Sequence, residues 1–268
     1  MGNKVKKVGL ALGGGGARGF CHIGVVEVLQ ENGIPIDVVT GCSMGAMIGG
    51  GVAAGVPIEQ ARKMAVAVNQ QAVFDIEIRH LFAEGLAAGK KAMKTYKKLV
   101  GEKLIEDCSI KFAAIATDLV SSKLHVITSG TIWQAVRASV AIPGVFHPVK
   151  EDGRVLVDGG VLKRIPIEEV RELGADIVIA VDALGAPHDK PELKSVFDII
   201  EMSYLIMDWK MAEKERKAAE LLIVPEMGNK TVYEFKNNQE AIDAGRKAAT
   251  DALPKIFELL KKNKIERR

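Results

Sequence analysis

The sequence predicts an α/β fold in which helices cover both faces of a mostly parallel sheet. Short runs of β-branched and aliphatic residues, of strand length, alternate with longer segments of helical spacing. The chain has 268 residues, 48% hydrophobic and 26% charged, which is long enough to enclose a large core. Glycine-containing turns directly follow the first two predicted strands. Since sites in such sheets lie beyond the carboxyl ends of the strands, we predict one domain, 1–268, with its site at that edge.

The first predicted strand runs from Val5 to Leu12 and leads into a glycine loop. The loop reads Gly-Gly-Gly-Gly-Ala-Arg-Gly over residues 13–19, and helical spacing follows from His22 to Asn32. Such a loop presents backbone N–H groups that no side chain shields, so it suits a phosphate or an oxyanion equally well. The spacing Gly-x-Gly-x-x-Gly within the loop also fits the fingerprint of dinucleotide-binding proteins.

A second predicted strand, from Ile36 to Thr40, leads into a serine flanked by glycines. Gly41, Ser43 and Gly45 form the pattern Gly-x-Ser-x-Gly, and a helical segment of small residues follows at once. This is the layout of a nucleophile elbow, a strained turn in which larger side chains two residues before and after the serine would collide. A dinucleotide site instead needs an acidic residue at the end of this strand, whereas Asp37 stands at its beginning. The serine in that place favours acyl transfer.

The segment that begins near Pro57 is predicted to be helical as far as about Asp107. Its middle part interleaves apolar and charged side chains. We weigh two interpretations of residues 73–107, a mobile cover over an apolar cleft and an ordinary pair of surface helices. A run of lysines there either faces anionic lipid headgroups or covers a solvated helix face. These lysines are Lys90, Lys91, Lys94, Lys97 and Lys98.

The second half of the chain supplies further strands and helices. Strands are predicted at 110–117, 123–128, 145–149, 154–157, 177–181 and 221–224. Helices are predicted at 132–139, 197–219 and 239–262. Asp158, Gly159 and Gly160 directly follow one of these strands, so that the aspartate stands on a turn beside the sheet. The alternative interpretation of Asp158 is an ordinary Asp-Gly turn.

Charge and cysteine content narrow the partner and the compartment. The net charge is only +3, far from the basic excess of a nucleic-acid-binding protein. Cys21, Cys42 and Cys108 lie far apart, which disfavours a disulfide framework or a metal site and favours a reducing, cytoplasmic interior. The apolar stretch from Val38 to Ile58 is rich in glycine and contains Ser43, so we predict a buried strand and helix there. Membrane contact is then peripheral, at the inner face, and the oligomeric state carries no sequence signal.

Four segments, in register with one another, resemble the patatin-like phospholipases. They are Gly-Gly-Gly-Gly-Ala-Arg-Gly-Phe-Cys-His (13–22), Gly-Cys-Ser-Met-Gly (41–45), Arg-Ala-Ser-Val-Ala-Ile-Pro-Gly-Val-Phe-His-Pro (137–148) and Asp-Gly-Gly (158–160). Their order and separations are similar to those of the short bacterial or archaeal type, and the likeness runs from about Val5 to Val181. The resemblance implies a three-layer α/β/α fold. It also implies a Ser-Asp dyad that hydrolyses acyl esters of lipids or phospholipids, with no cofactor and no metal.

Carried over by position, the resemblance implies a role for each matched residue. Ser43 corresponds to the nucleophile and Asp158 to the general base. The oxyanion hole corresponds to the backbone of Gly14, Gly15, Gly16 and Ala17. The supporting motif positions are Arg18, Gly19, Gly41, Gly45, Gly159 and Gly160. The chain departs from some members of the family at Gly13, where they carry an aspartate before the glycine run.

The chemistry of this pair requires a shifted pKa. Asp158 must take the proton of Ser43 so that the alkoxide attacks an ester carbonyl, and water must then cleave the acyl-enzyme. An ordinary aspartate has a pKa of about 3.9 and is a poor base for this step. We therefore expect burial under apolar side chains to raise the pKa of Asp158 toward the working pH. The bare amides of the glycine loop would stabilise the oxyanion.

The sequence is also compatible with two other functions. A Ser-His-Asp esterase would use His188, which follows Asp158 and Asp182 in the chain order of α/β-hydrolases. A non-catalytic module would use the glycine loop to hold a phosphate or a lipid headgroup, although the loop lacks the Gly-Lys-Ser/Thr ending of a P-loop. Replacement of the histidines and labelling of Ser43 by a fluorophosphonate separate both from the dyad.

Overall fold

The structure is a computed structural model that describes residues 5–73, 89–187, 193 and 196–268. Within these residues the strands of one sheet are β1 Val8–Leu12, β2 Val38–Cys42, β3 Lys111–Asp118, β4 Lys123–Ile127, β5 Val149–Glu151, β6 Arg154–Asp158, β7 Ile177–Val181 and β8 Leu221–Ile223. The helices are α1 Cys21–Glu31, α2 Met44–Ala53, α3 Ile58–Ala67, α4 Gln70–Val73, α5 Lys90–Val100, α6 Ile132–Ser139, α7 Ile167–Glu172, α8 Val196–Met211, α9 Glu213–Ala218 and α10 Asn238–Lys262.

The sheet is parallel over most of its width and antiparallel at one end. Hydrogen-bonded neighbours follow the order β5-β6-β3-β2-β1-β7-β8, and β4 also pairs with β3. Strands β8, β7, β1, β2 and β3 run parallel to one another. Strands β4 and β6 run antiparallel to β3, and β5 runs antiparallel to β6. The predicted mostly parallel sheet is confirmed, and the adjacent strands expected at 110–117 and 123–128 pair in its antiparallel end.

Alternate side chains of the central strands enter two different cores. In β1, Leu10 and Leu12 face the larger core, to which α1, α2, α5, α6 and α10 contribute. Ala11, between them, faces a smaller core that includes side chains of α7. All three residues are fully buried. A parallel sheet needs this cover on both faces, and the predicted three-layer α/β/α arrangement is confirmed.

Strand β3 brings two strand ends together. It pairs with β2 along Lys111–Ile115, with β6 along Ala116–Asp118 and with β4 along Ala114–Asp118. Because β4 overlaps both of the others in register, β2 and β6 must share the opposite edge of β3. They meet on that edge carboxyl end to carboxyl end, at Cys42 and Asp158.

The strand predicted at 145–149 is wrong over most of its length. The chain turns after α6, and the N–H groups of Val145 and Phe146 both donate to Ile142 O, at 3.0 and 2.9 Å. Amides that are held in a turn cannot join a strand ladder. Strand β5 therefore begins only at Val149.

The region interpreted as a cover is described only in part. Residues 74–88 lie outside the described residues, so the two interpretations of 73–107 remain predictions there. Helix α5 is anchored to α2, because the Tyr96 hydroxyl donates to Met47 O at 2.9 Å. Among the helices that the structure describes, none combines the length and the apolarity needed to span a bilayer.

Candidate active site

Ser43 stands on a strained turn between β2 and α2. Its backbone has φ 54° and ψ −123°, a positive φ that few non-glycine residues adopt. A Cβ on Gly41 would lie 2.4 Å from the Ala46 backbone, and one on Gly45 would lie 2.2 Å from Leu12 O. Neither position has room for a side chain. The turn thus has the geometry expected of a nucleophile elbow, and Ser43 is 6% exposed.

A second serine, Ser139 at the end of α6, braces this elbow. Its hydroxyl accepts a hydrogen bond from Ser43 N–H at 2.9 Å and donates one to Ile115 O of β3 at 2.6 Å. Ser139 is fully buried, so these bonds satisfy three polar groups inside the protein. The sequence analysis assigned no role to Ser139, which lies within the segment 137–148 that resembles the family. The available signal was a hydroxyl on the apolar side of a short helix, where it needs a buried partner.

Ser43 and Asp158 converge because β2 and β6 end against the same edge of β3. Cys42 pairs with Ile115, and Asp158 pairs with Ala116, the next residue along β3. The Cys42 thiol lies 3.7 Å from Asp158 Oδ1. The site therefore lies at the carboxyl ends of the parallel strands, although the aspartate reaches it on an antiparallel strand.

The Asp158 carboxyl is buried and receives few hydrogen bonds. It is 5% exposed, and its Oδ1 accepts the Gly160 N–H at 2.8 Å. Its Oδ2 is buried and has no hydrogen-bond partner among the described residues. Burial raises the pKa of Asp158 to about 6, and hydrogen bonding by the Ser43 side chain, Gly160 N–H and the Cys42 thiol opposes that rise. The Ser43 side chain is therefore close to the Asp158 carboxyl.

The glycine loop lies against the elbow, and two of its amides are already engaged. A Cβ on Gly14 would lie 3.7 Å from the Ser43 Cβ, which places the loop beside the nucleophile candidate. The Gly14 N–H, however, donates to Arg164 O at 3.0 Å. The Ala17 N–H donates to Val232 O at 2.8 Å. These two members of the predicted oxyanion hole are therefore occupied by protein acceptors.

Gly15 and Gly16 keep the two loop amides that remain available. Neither N–H donates to an acceptor within the part of the chain that the structure describes. Gly16 has φ +50°, and a Cβ there would lie 2.3 Å from Val232 O, so only glycine fits this turn. The four amides named from the sequence are thus narrowed to two candidate donors for an oxyanion.

Two buried side chains hold the loop in this conformation. Arg18 donates from Nε to Ala183 O and from Nη1 to Lys230 O, both at 3.1 Å. The His22 Nε2 lies 2.8 Å from Gly13 O. Because burial lowers the pKa of His22 to about 4, the ring is neutral at pH 7 and donates its Nε2–H to that carbonyl.

The remaining predicted positions divide between packing sites and undescribed residues. A Cβ on Gly19 would lie 2.5 Å from Met44 Cβ, and one on Gly159 would lie 2.4 Å from Ile115 O, so both glycines allow close packing around the site. His188, on which the Ser-His-Asp alternative depends, lies outside the described residues. Over the described ranges, no group of three His, Cys, Asp or Glu side chains is placed to hold a metal ion.

An apolar cavity of about 400 Å³ extends from Ser43 into the larger core. Ser43 and Gly16, one of the two loop residues with an available amide, lie in its wall, so a molecule inside it contacts both residues. Aliphatic, aromatic and methionine side chains of α2, α3 and α5 form most of the rest, among them Met47, Met64 and Met93. Such a volume is in the usual range of small-ligand sites, about 300–1,000 Å³. The cavity can hold an apolar chain whose polar end lies at Ser43.

Comparison with known proteins finds relatives of this chain. Residues 10–171 match the family model described as patatin-like phospholipase. An uncharacterised NTE family protein of Mycobacterium bovis is 38% identical over 185 residues, which is 69% of this chain and 51% of the relative. A lysophospholipase of Emericella nidulans is 33% identical over 191 residues, 70% of this chain and 12% of the fungal protein. The chain thus spans about half the length of the mycobacterial relative and a small part of the fungal one.

A solved structure shares the fold. Human GIVD cytosolic phospholipase A2 superposes with a TM-score of 0.56 and 11% sequence identity, over 97% of this chain and 60% of that one. At this identity the likeness concerns the arrangement of strands and helices alone.

Proposed function

The chain belongs to the patatin-like phospholipase family, and we propose that it hydrolyses acyl esters of lipids with Ser43 as nucleophile and Asp158 as general base. The observation that carries the proposal is the buried Asp158 carboxyl beside a serine on a strained elbow, with Oδ2 left without a hydrogen-bond partner among the described residues. A carboxyl that only fills a turn has no need of such an arrangement. The apolar cavity beside Ser43 supports a lipid as the substrate.

The first half of the reaction transfers the acyl group to the enzyme. Asp158 takes the hydroxyl proton as Ser43 Oγ forms a bond to the ester carbonyl carbon, and the carbonyl electrons move to oxygen. The free amides of Gly15 and Gly16 stabilise that oxyanion, a donor of this kind being worth about 3 kcal/mol. The tetrahedral intermediate then collapses, and the bond to the alcohol breaks. The leaving oxygen takes the proton from Asp158.

The second half releases the fatty acid. A water molecule gives a proton to Asp158 and attacks the acyl carbon, which forms a second oxyanion at the same amides. Its collapse breaks the bond to Ser43 Oγ, which recovers the proton from Asp158. The pKa of about 6 fits both directions of transfer, because the carboxylate is the main form at pH 7 and is still basic enough to accept a proton.

We propose single-chain esters, such as a lysophospholipid or a fatty acyl ester, as the substrate class. The apolar cavity of about 400 Å³ beside Ser43 has room for one acyl chain. The fungal relative is named a lysophospholipase, which supports the same class. Cys21, Cys42 and Cys108 are free thiols, which supports a reducing, cytoplasmic location. Contact with a membrane would then be peripheral, at its inner face.

Replacement of Ser43 tests the proposal. Ser43→Ala removes the attacking oxygen, and we expect hydrolysis of nitrophenyl butyrate and of a lysophospholipid panel to fall by roughly 10,000-fold or more. Ser109→Ala is the matched control, because Ser109 is an exposed serine in a loop. Turnover by Ser43→Ala close to that of Ser109→Ala would remove the serine mechanism.

Two further measurements separate the alternatives. A fluorophosphonate should label the wild-type chain and leave Ser43→Ala unlabelled, since a module that only binds lipid has no reason to activate a serine. The variant His188→Ala should keep wild-type turnover. A loss as large as that of Ser43→Ala would instead favour a Ser-His-Asp mechanism.

A further inference from the structure

Helix α8 turns an apolar face away from the protein. We call this surface the α8 face, and its apolar members are Ile199, Ile200, Ile206, Met207 and Met211, which are 42–63% exposed. At 100° per residue they fall within one arc of the helix, together with Ser203 and Lys210. Single exposed apolar side chains are ordinary, whereas a contiguous set along one helix marks a contact surface.

The inward side of α8 is polar, which is the reverse of an ordinary surface helix. Asp208 is 2% exposed, and its Oδ2 lies 2.9 Å from Arg164 Nη1. Arg164 also binds Asp182, at 3.1 Å from its Nε. The Arg216 guanidinium stacks on Trp209 at 3.3 Å from the ring centre. Charged groups thus hold the helix on the protein. Its apolar side remains exposed and is available to contact a partner.

The inward side of helix α8 lies next to the candidate active site. The Tyr204 hydroxyl is 3.0 Å from the place that a Cβ on Gly160 would take, and Gly160 binds the Asp158 carboxyl. Burial raises the pKa of Tyr204, and the negative charge of Asp158 adds to the rise. Leu162, two residues beyond Gly160, is another exposed apolar side chain near the dyad, at 41%. Helix α8 is therefore close to the proposed dyad, and the α8 face lies on its outer side.

The charges on the α8 face suit an anionic lipid surface. Lys210 is exposed and forms no ion pair with another described residue, and the nearest carboxylate that it influences is Glu213, at the start of α9 beyond this face. The described part of the face carries no acidic side chain. An apolar helix face with lysine is typical of a helix that lies in a membrane interface, because the lysine stem can be buried while its ammonium group reaches the phosphates. A second copy of the chain would instead bury Lys210 against a face without an opposite charge.

We propose that the α8 face docks on the surface of a bilayer that contains anionic phospholipids, with Lys210 at the headgroups. This inference rests on the proposed function, since docking here would present lipid beside the dyad. The apolar side chains of the α8 face enter the membrane interface, while Arg164 and Asp208 keep the helix attached to the enzyme.

Vesicle binding tests the proposal in a background that cannot consume lipid. The 268-residue chain with Ser43→Ala is sedimented with phosphatidylcholine vesicles that contain phosphatidylglycerol, with and without the added pair Ile200→Ser and Met207→Ser. We expect the pair to weaken binding by roughly tenfold to a hundredfold, because two large side chains no longer enter the interface. Val66→Ser is the matched control, since Val66 is 49% exposed on α3, and it should bind as the background does.

Two additional measurements identify the lipid chemistry and the oligomeric state. Lys210→Gln should weaken binding about fivefold on vesicles with phosphatidylglycerol and leave binding to phosphatidylcholine alone unchanged. In the chain with Ser43 intact, the Ile200→Ser and Met207→Ser pair should keep wild-type hydrolysis of soluble nitrophenyl butyrate and lose hydrolysis of vesicle-bound lipid. Equal vesicle binding by the pair and by Val66→Ser would overturn the proposal. So would a wild-type dimer in sedimentation that the pair converts to a monomer.

Failure of the enzyme proposal gives a different result. If wild-type protein hydrolyses no ester while vesicle binding still depends on Ile200 and Met207, the dyad mechanism is wrong and the docking surface stands. If the wild-type chain hydrolyses nitrophenyl butyrate and the pair binds vesicles normally, the docking surface is wrong and the mechanism stands.

Discussion

Two aspartates end the neighbouring strands β3 and β6, and their carboxyl groups have opposite properties. Asp118 accepts hydrogen bonds from the Ser121 hydroxyl at 2.6 Å and from the N–H groups of Val120, Val155 and Ser121 at 3.1, 3.2 and 3.3 Å. These bonds, that of the Ser121 side chain first, lower the pKa of Asp118 to about 2. Asp158 accepts one amide, and burial raises its pKa to about 6. A strand-end aspartate becomes a base when it is buried with few donors, not through its position alone.

The residues that follow each aspartate explain the difference. After Asp118 the chain folds back over the carboxylate, and a serine three residues on adds its hydroxyl. After Asp158 two glycines offer a single amide, from Gly160, and pack against β3. The comparison predicts that Asp118 has a structural role and that Asp158 acts as a base in the reaction. Three experiments can contradict this prediction.

The largest expected difference is in turnover. Asp158→Asn removes the base, and we expect kcat for nitrophenyl butyrate to fall by about 1,000-fold to 10,000-fold. Asp118→Asn should keep kcat within a factor of about two at temperatures where it is folded, because that carboxylate only holds a turn. Initial rates of both variants, with circular dichroism to verify folding, make the measurement. Equal losses in the two variants would show that both aspartates act through the fold.

The second difference is in stability, and its sign is opposite for the two carboxyls. For Asp158 the pKa is higher in the folded chain than the ordinary 3.8, so its contribution to stability is present at low pH and is lost as the pH rises through about 6. Asp158→Asn should therefore raise the free energy of unfolding at pH 8 by about 3 kcal/mol relative to wild type, and by little at pH 4.

Asp118 should behave in the opposite way. Its pKa is lowered to about 2, so its contribution is present above pH 4 and is lost as the pH falls through 2. Asp118→Asn should be less stable than wild type at neutral pH. Urea titrations of wild type and both variants at pH 4 and pH 8 measure these changes. If Asp158→Asn is less stable than wild type at pH 8, then burial of the ionised Asp158 carboxylate does not destabilise the folded protein, and the raised pKa is wrong.

The smallest expected effect is the pH dependence of wild-type activity. The reaction needs the Asp158 carboxylate, so kcat/KM should be constant above about pH 7 and fall about tenfold per unit below pH 6. Asp118→Asn should give the same profile. A midpoint near pH 4 would show an unperturbed base, and a midpoint that moves in Asp118→Asn would assign the titration to the wrong carboxyl.

Much of the fold follows from the sequence, because local patterns determine it. Helix α6 was predicted at 132–139, and the structure has it at Ile132–Ser139. The turn at Ser43 was predicted because only small residues fit on either side of it. The prediction of a strand at 145–149 is wrong because the Ile142 carbonyl accepts hydrogen bonds from two amides of that segment. An apolar run in the sequence does not indicate such a turn.

The candidate site was predictable in composition and less so in detail. Ser43, Asp158 and the glycine loop lie near one another in the structure, and their roles in a site stay predictions. The sequence did not indicate which loop amides stay free, since Gly14 and Ala17 donate to carbonyls of distant segments. It also gave no reason to single out Ser139, whose role depends on Ile115 and Ser43 meeting at the same place. Such choices depend on tertiary contacts rather than on local spacing.

The shared edge of β3 fixes the distance between the two residues of the proposed dyad. Since Cys42 and Asp158 pair with consecutive residues of one strand, their separation is set by the rise of that strand, about 3.3 Å per residue. Of the chain between these two residues, β3 sets the spacing, and Ser139 at the end of α6 holds the elbow against β3. Insertions or deletions elsewhere in that part of the chain would therefore reshape the substrate pocket during evolution and leave the distance from hydroxyl to carboxyl unchanged.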